Sequence, residues 1–424
     1  MGLGKSGKAV ERWCLENDID FLTYDDSCSA DYTPKNIENL PWKNIRSVVL
    51  APGVALSHRV VNEAKKRDID CIGEIEFALN QRPEVFSKVI AVTGTNGKTT
   101  LVNIIYNILR SLGEVAHLLG NVGTPLTEKL AKIQKGDYIV LELSSFQLDS
   151  LYSLRSRVSV ILNITPDHSD RYDTFNDYVK SKVKITQNQK QKDFCLLPED
   201  FHDRGYCLEG SPHVIYADWA LGKNRFSKSD GSIFHDGKHW MFWKDICLIG
   251  DHNKGNILTA LTALESLGVD VHQKCVKIAL QNFLPLPHRL EKVETLKGVT
   301  YINDSKATNL DAVLKAIESF ETSIILIFGG KPKSSDVERE IYTEILPLVA
   351  TVIVYGEAAH YVSLKKTETK KIHLVELLPE AVLKARLLAK KGDTVLFSPG
   401  CSSFDLYMNY KERGEAFKKA VLLQ

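Results

Sequence analysis

The octapeptide TGTNGKTT at 93–100 has the residue types that hold a polyphosphate. Gly94 and Gly97 let the backbone approach phosphate oxygens closely, and the N–H groups near Asn96, Gly97 and Lys98 can converge on them. The Lys98 ammonium can reach β- and γ-phosphates, and the Thr99 hydroxyl can coordinate Mg²⁺. Thr95 and Thr100 complete this candidate ATP loop. It is the short form G-x-x-G-K-T, because Val92 stands where the longer pattern has its first glycine. Alone, the loop implies an NTP-dependent protein. Glu142 ends the apolar run DYIVLELSS, where a carboxylate can hold Mg²⁺. His168 ends the next such run, in NITPDHSDRY, and reads either as a loop residue or as part of the site. Lys182, in NDYVKSKVKI, reads on its own as one lysine of a solvated helix face.

Three polar, glycine-bearing clusters follow later in the chain. NDSKATN (303–309) gathers Asp304, Ser305, Lys306, Thr308 and Asn309 after a strand, with a helix-capping role open for Asn309. FGGKPKSSD (328–336) and FSPGCSSFD (397–405) are similar in kind. Together they can form a cationic, hydroxyl-rich pocket for a small carboxylate, or be three solvated turns. Cys401 has no histidine near it in sequence and reads as structural. At the other end, Gly2-Leu3-Gly4-Lys5-Ser6-Gly7 is a G-x-G-x-x-G turn of the diphosphate-binding kind with no strand before it. Asp25 lies at the spacing where an acid meets a ribose in dinucleotide folds, which makes NAD a rival ligand for this region.

These residues need strand ends to stand on. KVIAVT before the phosphate loop reads as a buried strand, and the apolar spacing from Leu101 to Leu112 reads as a helix. DYIVLELSS and VSVILNITPDH read as further strands, residues 186–250 as a more polar, strand-rich stretch, and 250–268 as helix. FLTYDDS (21–27) and IRSVVLAPG (45–53) read as strands of a short first unit, with helices over Lys8–Glu16 and HRVVNEAKKR. QRPEVFSK and LPLPHRLE read as hinges. Beyond the second, VTYIND, SIILIFGG, TVIVYG and DTVLFSPG alternate with helices such as LPEAVLKARLLAKKG. The expectation is an α/β protein of three domains: 1–82, Rossmann-like with its first strand apparently missing; 83–285, a central P-loop ATPase with a mainly parallel sheet; and 286–424, Rossmann-like.

Composition narrows the class. The 424 residues are 44% hydrophobic and 25% charged, an ordinary globular balance. A net charge of +1 gives no global field for nucleic acid or a membrane surface. No apolar run approaches the ~20 residues that span a bilayer. The eight cysteines are scattered without metal spacing, which favours a reducing cytoplasm.

GLGKSG, TGTNGKTT, GNVGTP (120–125), LELSSFQL, NITPDHSDRY, HN..N (252–256), LPHRLE, INDSKATN, FGGKPK and SP.CSSFD together resemble the Mur ligases over nearly the whole chain. NDSKATN is the discriminating piece. Relatives that add L-alanine or a diamino acid show a D-Y-x-H-x-P stretch there, and folylpolyglutamate-type ligases differ too. The resemblance implies an ATP-dependent amide ligase that joins D-glutamate to UDP-N-acetylmuramoyl-L-alanine through an acyl phosphate. It implies a cytoplasmic monomer that uses ATP and two Mg²⁺ ions, with no nucleic-acid or membrane partner. It places Thr99, Glu142, His168 and a carbamylated Lys182 around the metals, with Lys180 as an alternative to Lys182. Lys98, Asn121, His168, Lys182 and Lys306 become the catalytic group. Asn256, Arg289 and Asp304 join Gly94–Thr100 in holding ATP. Gly4, Lys5, Ser6, Asp25, Pro52, Gly53 and Asn121 hold the UDP substrate, and Thr308, Lys333, Ser403 and Phe404 hold D-glutamate. Family members begin with roughly ten more residues that include a central strand, so the expectation is a true start upstream of Met1. A folylpolyglutamate-type ligase and a non-catalytic nucleotide-binding scaffold are the competing readings.

Overall fold

The computed structural model describes all residues except 36, 169–170, 221–222, 230, 334–335, 363–370 and 424. Ser169 and Asp170 of NITPDHSDRY, Ser334 and Ser335 of FGGKPKSSD, and Asp230 of the polar stretch 186–250 therefore lie outside the described residues. The chain divides into two compact units. The first comprises 1–166, 171–245 and 255–281; the second comprises 167–170, 246–254 and 282–424. Both the expected first domain and nearly all of the expected central domain fall within the first unit.

The first unit is built on six parallel strands. β3 (Lys88–Thr93), β4 (Ala116–Gly120), β5 (Tyr138–Glu142), β6 (Val158–Ile161), β7 (Phe194–Leu197) and β8 (His213–Tyr216) stand in the order β4-β5-β3-β6-β7-β8. The strands are continuous apolar runs because helices cover both faces: β3, β5 and β6 are buried almost throughout. β3 sits between β5 and β6, so the phosphate loop leaves the middle of the sheet at its carboxyl edge, where open α/β sheets place ligands. β9 (Phe226–Ser229), β10 (Ser232–His235) and β11 (Lys238–Phe242) form a separate antiparallel sheet and, with β7 and β8, account for the polar, strand-rich stretch.

The start of the chain differs from the sequence expectation. Only β1 (Ser47–Leu50) and β2 (Asp70–Gly73) pair there, in parallel. Residues 21–27 are not a strand beyond a single bridge between Tyr24 and Tyr32. The reason lies in the aspartates: Asp31 accepts from Thr23 N at 2.8 Å and Asp25 accepts from Leu3 N at 2.6 Å, so side chains take donors that a ladder would need. Met1 lies along β1, its amino group donating to Val49 O at 2.8 Å and its carbonyl accepting from Ala51 N. A cavity of about 1070 Å³ opens between the helix Lys5–Glu16, the 19–24 segment and β1, with Val10, Phe21, Val48 and Phe77 in its lining.

The second unit holds β12 (Glu291–Leu296), β13 (Val299–Asn303), β14 (Ile324–Gly329), β15 (Thr351–Tyr355), β16 (Ile372–Val375) and β17 (Thr394–Gly400), in the order β12-β13-β17-β14-β15-β16. All neighbours are parallel except β12 with β13. The carboxyl ends of β13, β14 and β17 carry the three polar clusters seen in the sequence, side by side.

A candidate nucleotide and acyl-transfer site

In the first unit the phosphate loop runs from β3 to the helix Lys98–Ser111. Gly97 caps that helix at φ 86° with no side-chain cap, and Gly94 sits at φ 147°. The first helical turn therefore presents N–H groups that a phosphate can satisfy. One expected donor is spent elsewhere. Asn96 N donates to Asn163 Oδ1 at 2.8 Å, Thr95 N reaches the same oxygen at 3.1 Å, and Asn163 Nδ2 donates back to Asn96 O at 3.0 Å. Asn163, which no motif marks in the sequence, thus fixes the front of the loop. Asn256 packs on the loop from the helix Asp251–Ser266: a Cβ at Gly97 would stand 3.3 Å from its Oδ1. Thr95 Oγ1 bonds Thr165 O and Tyr178 Oη, both at 3.1 Å, so it braces the loop. Thr100 is buried in the first helical turn.

Lys98 curls back, donating from Nζ to Gly94 O at 2.6 Å and to Thr95 O at 2.8 Å. Lys182 reaches the same Gly94 carbonyl at 2.9 Å, with its ammonium over the Tyr178 ring at 4.4 Å. This corrects the solvated-face reading of Lys182: its residue is only 1% exposed. Lys180 points outward and pairs loosely with Asp177 at 3.8 Å. Glu142, at the end of β5, is buried; Oε1 accepts from Asn121 Nδ2 at 2.8 Å, while Oε2 is buried with no hydrogen-bond partner. A buried carboxylate oxygen left without a donor is costly, and a cation is the partner that removes the cost. The donor set of Glu142 with the Thr99 hydroxyl suits a hard, oxygen-seeking ion such as Mg²⁺.

The candidate UDP residues lie in the turn Gly2–Gly7 and the APGV loop. Gly7 cannot carry a side chain, since a Cβ would come 1.9 Å from Gly2 O. Gly4 opens the helix Lys5–Glu16 without a side-chain cap. Lys5 is drawn to the carbonyl of Gly123, and Ser6 lines the cavity beside β1. Asp25 is more committed than its spacing implied: Oδ2 holds Leu3 N and Oδ1 holds Ser27 N and Cys28 N, and these backbone bonds lower its pKa to about 2. The APGV loop is tied by Arg171, which donates to Pro52 O and Val54 O at 3.3 Å and stacks on Phe146 at 4.0 Å, beside the LELSSFQ segment; Gly53 stands in open space.

In the second unit Asp304 follows the end of β13 and is buried. Ser398 Oγ donates to it at 2.9 Å and Leu290 N at 3.2 Å, and burial still raises its pKa to about 7, opposed by those bonds and the Arg289 charge. Lys306 lies over the Tyr410 ring at 4.2 Å. Asn309 is a helix cap, its Oδ1 accepting from Ala312 N at 2.9 Å, as the capping alternative held. Thr308 precedes it. Lys333 pairs with Asp167 at 2.6 Å. Burial pushes the Asp167 carboxyl up, but Lys333 and His168 outweigh it and hold it below the usual range. His168 itself falls in this unit at φ 56°, a left-handed conformation that costs a side-chain-bearing residue energy. Ser403 is buried, whereas Phe404 is 70% exposed, so no pocket wall holds its ring in this structure. The Cys401 thiol is buried and its pKa is pushed up to about 12, which fits a structural role.

The residue that unites these clusters was not read from the sequence. Arg413, fully buried, donates to Ser305 Oγ and O at 3.1 and 2.8 Å and to the carbonyls of Cys401 and Ser402 at 3.0 Å. It clamps NDSKATN to SPGCSS. In the sequence it sits in YKERGEAF, which looks like an ordinary charged helix.

A phosphate loop at the centre of a parallel sheet, beside a buried carboxylate and a buried lysine, defines an α/β P-loop nucleotide-binding protein. The chain belongs to the Mur ligase family. Residues 92–264 match the Mur ligase middle domain and 288–401 the Mur ligase glutamate ligase domain. Curated relatives named UDP-N-acetylmuramoylalanine--D-glutamate ligase include that of Caldanaerobacter subterraneus, 34% identical over 99% of this chain and 97% of its own length. That of Koribacter versatilis is 37% identical over 99% and 96%. Among solved structures, the MurF ligase of Thermotoga maritima in complex with ADP covers 90% of this chain and 97% of its own at 18% identity, with a TM-score of 0.62. Folylpolyglutamate synthase of Mycobacterium tuberculosis covers 81% and 93% at 15% identity, with a TM-score of 0.58. At such identities the likeness shows the fold.

Proposed function

We propose that this chain joins D-glutamate to the L-alanyl carboxylate of UDP-N-acetylmuramoyl-L-alanine at the expense of ATP, in cytoplasmic peptidoglycan precursor synthesis. The observation that carries the reading is the meeting of Lys98 and buried Lys182 on one phosphate-loop carbonyl, in a chain with full-length relatives of that name. A carboxylate is a poor acyl donor. Its oxygen attacks the γ-phosphorus of ATP, ADP leaves, and an acyl phosphate forms. The D-glutamate amine then attacks the acyl carbon, and the tetrahedral adduct loses a proton and expels inorganic phosphate to leave the amide.

The protein's part is to gather anions and hold them. The Gly97–Thr100 helix start receives the phosphates, and Lys98 leaves the Gly94 carbonyl to follow the γ-phosphate through transfer. Asn256 braces the loop, while Arg289 and Asp304 complete the nucleotide site. Thr99, Glu142, His168 and a carbamylated Lys182 would hold two Mg²⁺ ions, which neutralise charge as the phosphoryl group moves. Carbamylation adds CO₂ to the Lys182 nitrogen with loss of two protons from the ammonium and turns a cation into a carboxylate-like ligand. Asn121, positioned by Glu142, faces the reacting carboxyl. Gly4, Lys5, Ser6, Asp25, Pro52 and Gly53 contact the UDP end. Lys306 serves the ATP side of the reacting groups, and Thr308, Lys333, Ser403 and Phe404 receive D-glutamate, with Lys333 exchanging Asp167 for a substrate carboxylate. We read the chain as three domains, 1–82, 83–285 and 286–424, acting as a monomer.

The test is phosphate release with UDP-N-acetylmuramoyl-L-alanine and each of D-glutamate, L-glutamate and other amino acids. Turnover should require the UDP substrate and D-glutamate. Turnover on a folate with no UDP dependence would assign the folylpolyglutamate class instead, and no turnover with any amino acid would leave a nucleotide-binding scaffold.

A further inference from the structure

The antiparallel sheet β9–β11 carries a cluster that the ligase reading does not use. His235 ends β10 just before the turn Asp236–Gly237, whose φ values of 47° and 73° fix a tight hairpin. Its ring lies against Phe226, its partner across β9, with centroids 4.6 Å apart. Its Nε2 stands 2.8 Å from Oε1 of Glu265, in the last turn of the helix Asp251–Ser266. The His272 ring meets the His235 ring at 4.4 Å and 72°. One nitrogen from each histidine and one Glu265 oxygen all lie within 4.8 Å of one another. We propose that His235, Glu265 and His272 form a binding site for a borderline divalent transition ion of the Zn²⁺ kind, remote from the nucleotide loop.

Two imidazoles and one carboxylate suit Zn²⁺, Co²⁺ or Ni²⁺ and suit Mg²⁺ poorly. Three protein ligands leave one position for water, and His272 lies at the exposed side of the cluster. Asp236 adds a further carboxylate beside the cluster, its Oδ2 3.6 Å from His235 Nδ1. One member of the cluster, Glu265, already pairs with a cation. Arg225 places Nη1 at 2.9 Å from Glu265 and Nη2 at 2.9 Å from Asp236. Its side chain is 59% exposed, and it keeps Asp236 through Nε and Nη2 when Nη1 yields Glu265 to an ion. Glu265 follows Asn256 by nine positions on one helix, about 14 Å along the axis, so the site is separate from the phosphate loop. A bound ion would pin the hairpin sheet to the end of that helix.

The experiment uses the full chain in saturating Mg²⁺, with Co²⁺ as the probe. Wild type should take up one equivalent with the intense visible absorption of a four-coordinate cobalt site. His272→Ala, at an exposed position, and Glu265→Gln should each weaken that uptake by at least about tenfold. Zn²⁺ should compete for the signal and raise the melting temperature of wild type but not of His272→Ala. No visible band in wild type, or equal Co²⁺ affinity in wild type and a His272→Ala variant with an unchanged metal-free melt, overturns the site.

Discussion

Lys98 and Lys182 donate to one oxygen, the Gly94 carbonyl, at 2.6 and 2.9 Å. One lysine comes from the phosphate loop itself and the other from the helix Phe175–Val183. Their shared acceptor sets the two side-chain nitrogens side by side against the phosphate loop.

Lys182→Ala should therefore lower turnover by about three orders of magnitude, the scale of losing a preorganised electrostatic partner. If the working form is the carbamate, stripping bicarbonate from wild type should reduce activity and adding it back should restore it. The variant's residual rate should ignore bicarbonate. Phosphate-release assays in degassed and replenished buffer decide this; a wild type indifferent to bicarbonate refutes the carbamate.

Glu142 offers a case where stability and function part. Its Oε2 is buried without a partner, while Oε1 is held by Asn121. Glu142→Gln removes a buried charge and keeps an oxygen for Asn121. The melting temperature without Mg²⁺ should stay level or rise, while the Mg²⁺ concentration for half-maximal activity should climb at least about tenfold. Scanning calorimetry beside an Mg²⁺ titration of turnover checks both, and a lower melting temperature with unchanged Mg²⁺ demand counts against a metal role.

What could be read in advance was what local pattern determines. KVIAVT, the glycines after it and the apolar spacing from Leu101 become β3, the loop and its helix. The strand ends bearing Glu142, Asp304 and Ser398 also stand where their apolar runs stop. Lys182 and Arg413 were illegible by pattern because their burial comes from elements distant in sequence. A lysine beside Ser181 and Val183 on a nine-residue helix looks solvated until Gly94 and Tyr178 are folded against it. The strand expected at 21–27 failed because apolar and β-branched residues need a ladder, and here aspartate side chains occupy Thr23 N and Leu3 N.

Arg413 should govern amino-acid binding without touching the amino acid. Arg413→Lys keeps the charge but cannot satisfy the carbonyls of Ser305, Cys401 and Ser402 together. Each buried carbonyl left bare costs about 1–3 kcal/mol. The variant should melt several degrees lower and show a raised KM for D-glutamate, with kcat and the KM for ATP changed much less. Steady-state kinetics with each substrate varied separately measures that split, and an equal effect on ATP and D-glutamate contradicts it.

Asp304 ties stability to pH through a carboxyl buried just after the end of β13. Burial raises its folded pKa to about 7, above the ordinary carboxylate value. The folded state thus holds this proton more tightly than the unfolded chain does. The stability so contributed is complete below the ordinary carboxylate range and is lost as pH rises through about 7. Asp304→Asn keeps an acceptor for Leu290 N and a polar partner for Ser398, yet cannot ionise. Between about pH 4 and pH 7, wild type should lose melting temperature relative to Asp304→Asn, with the two converging toward acid. Parallel melts across that interval measure the difference, and curves that stay parallel throughout show that Asp304 does not carry the coupling.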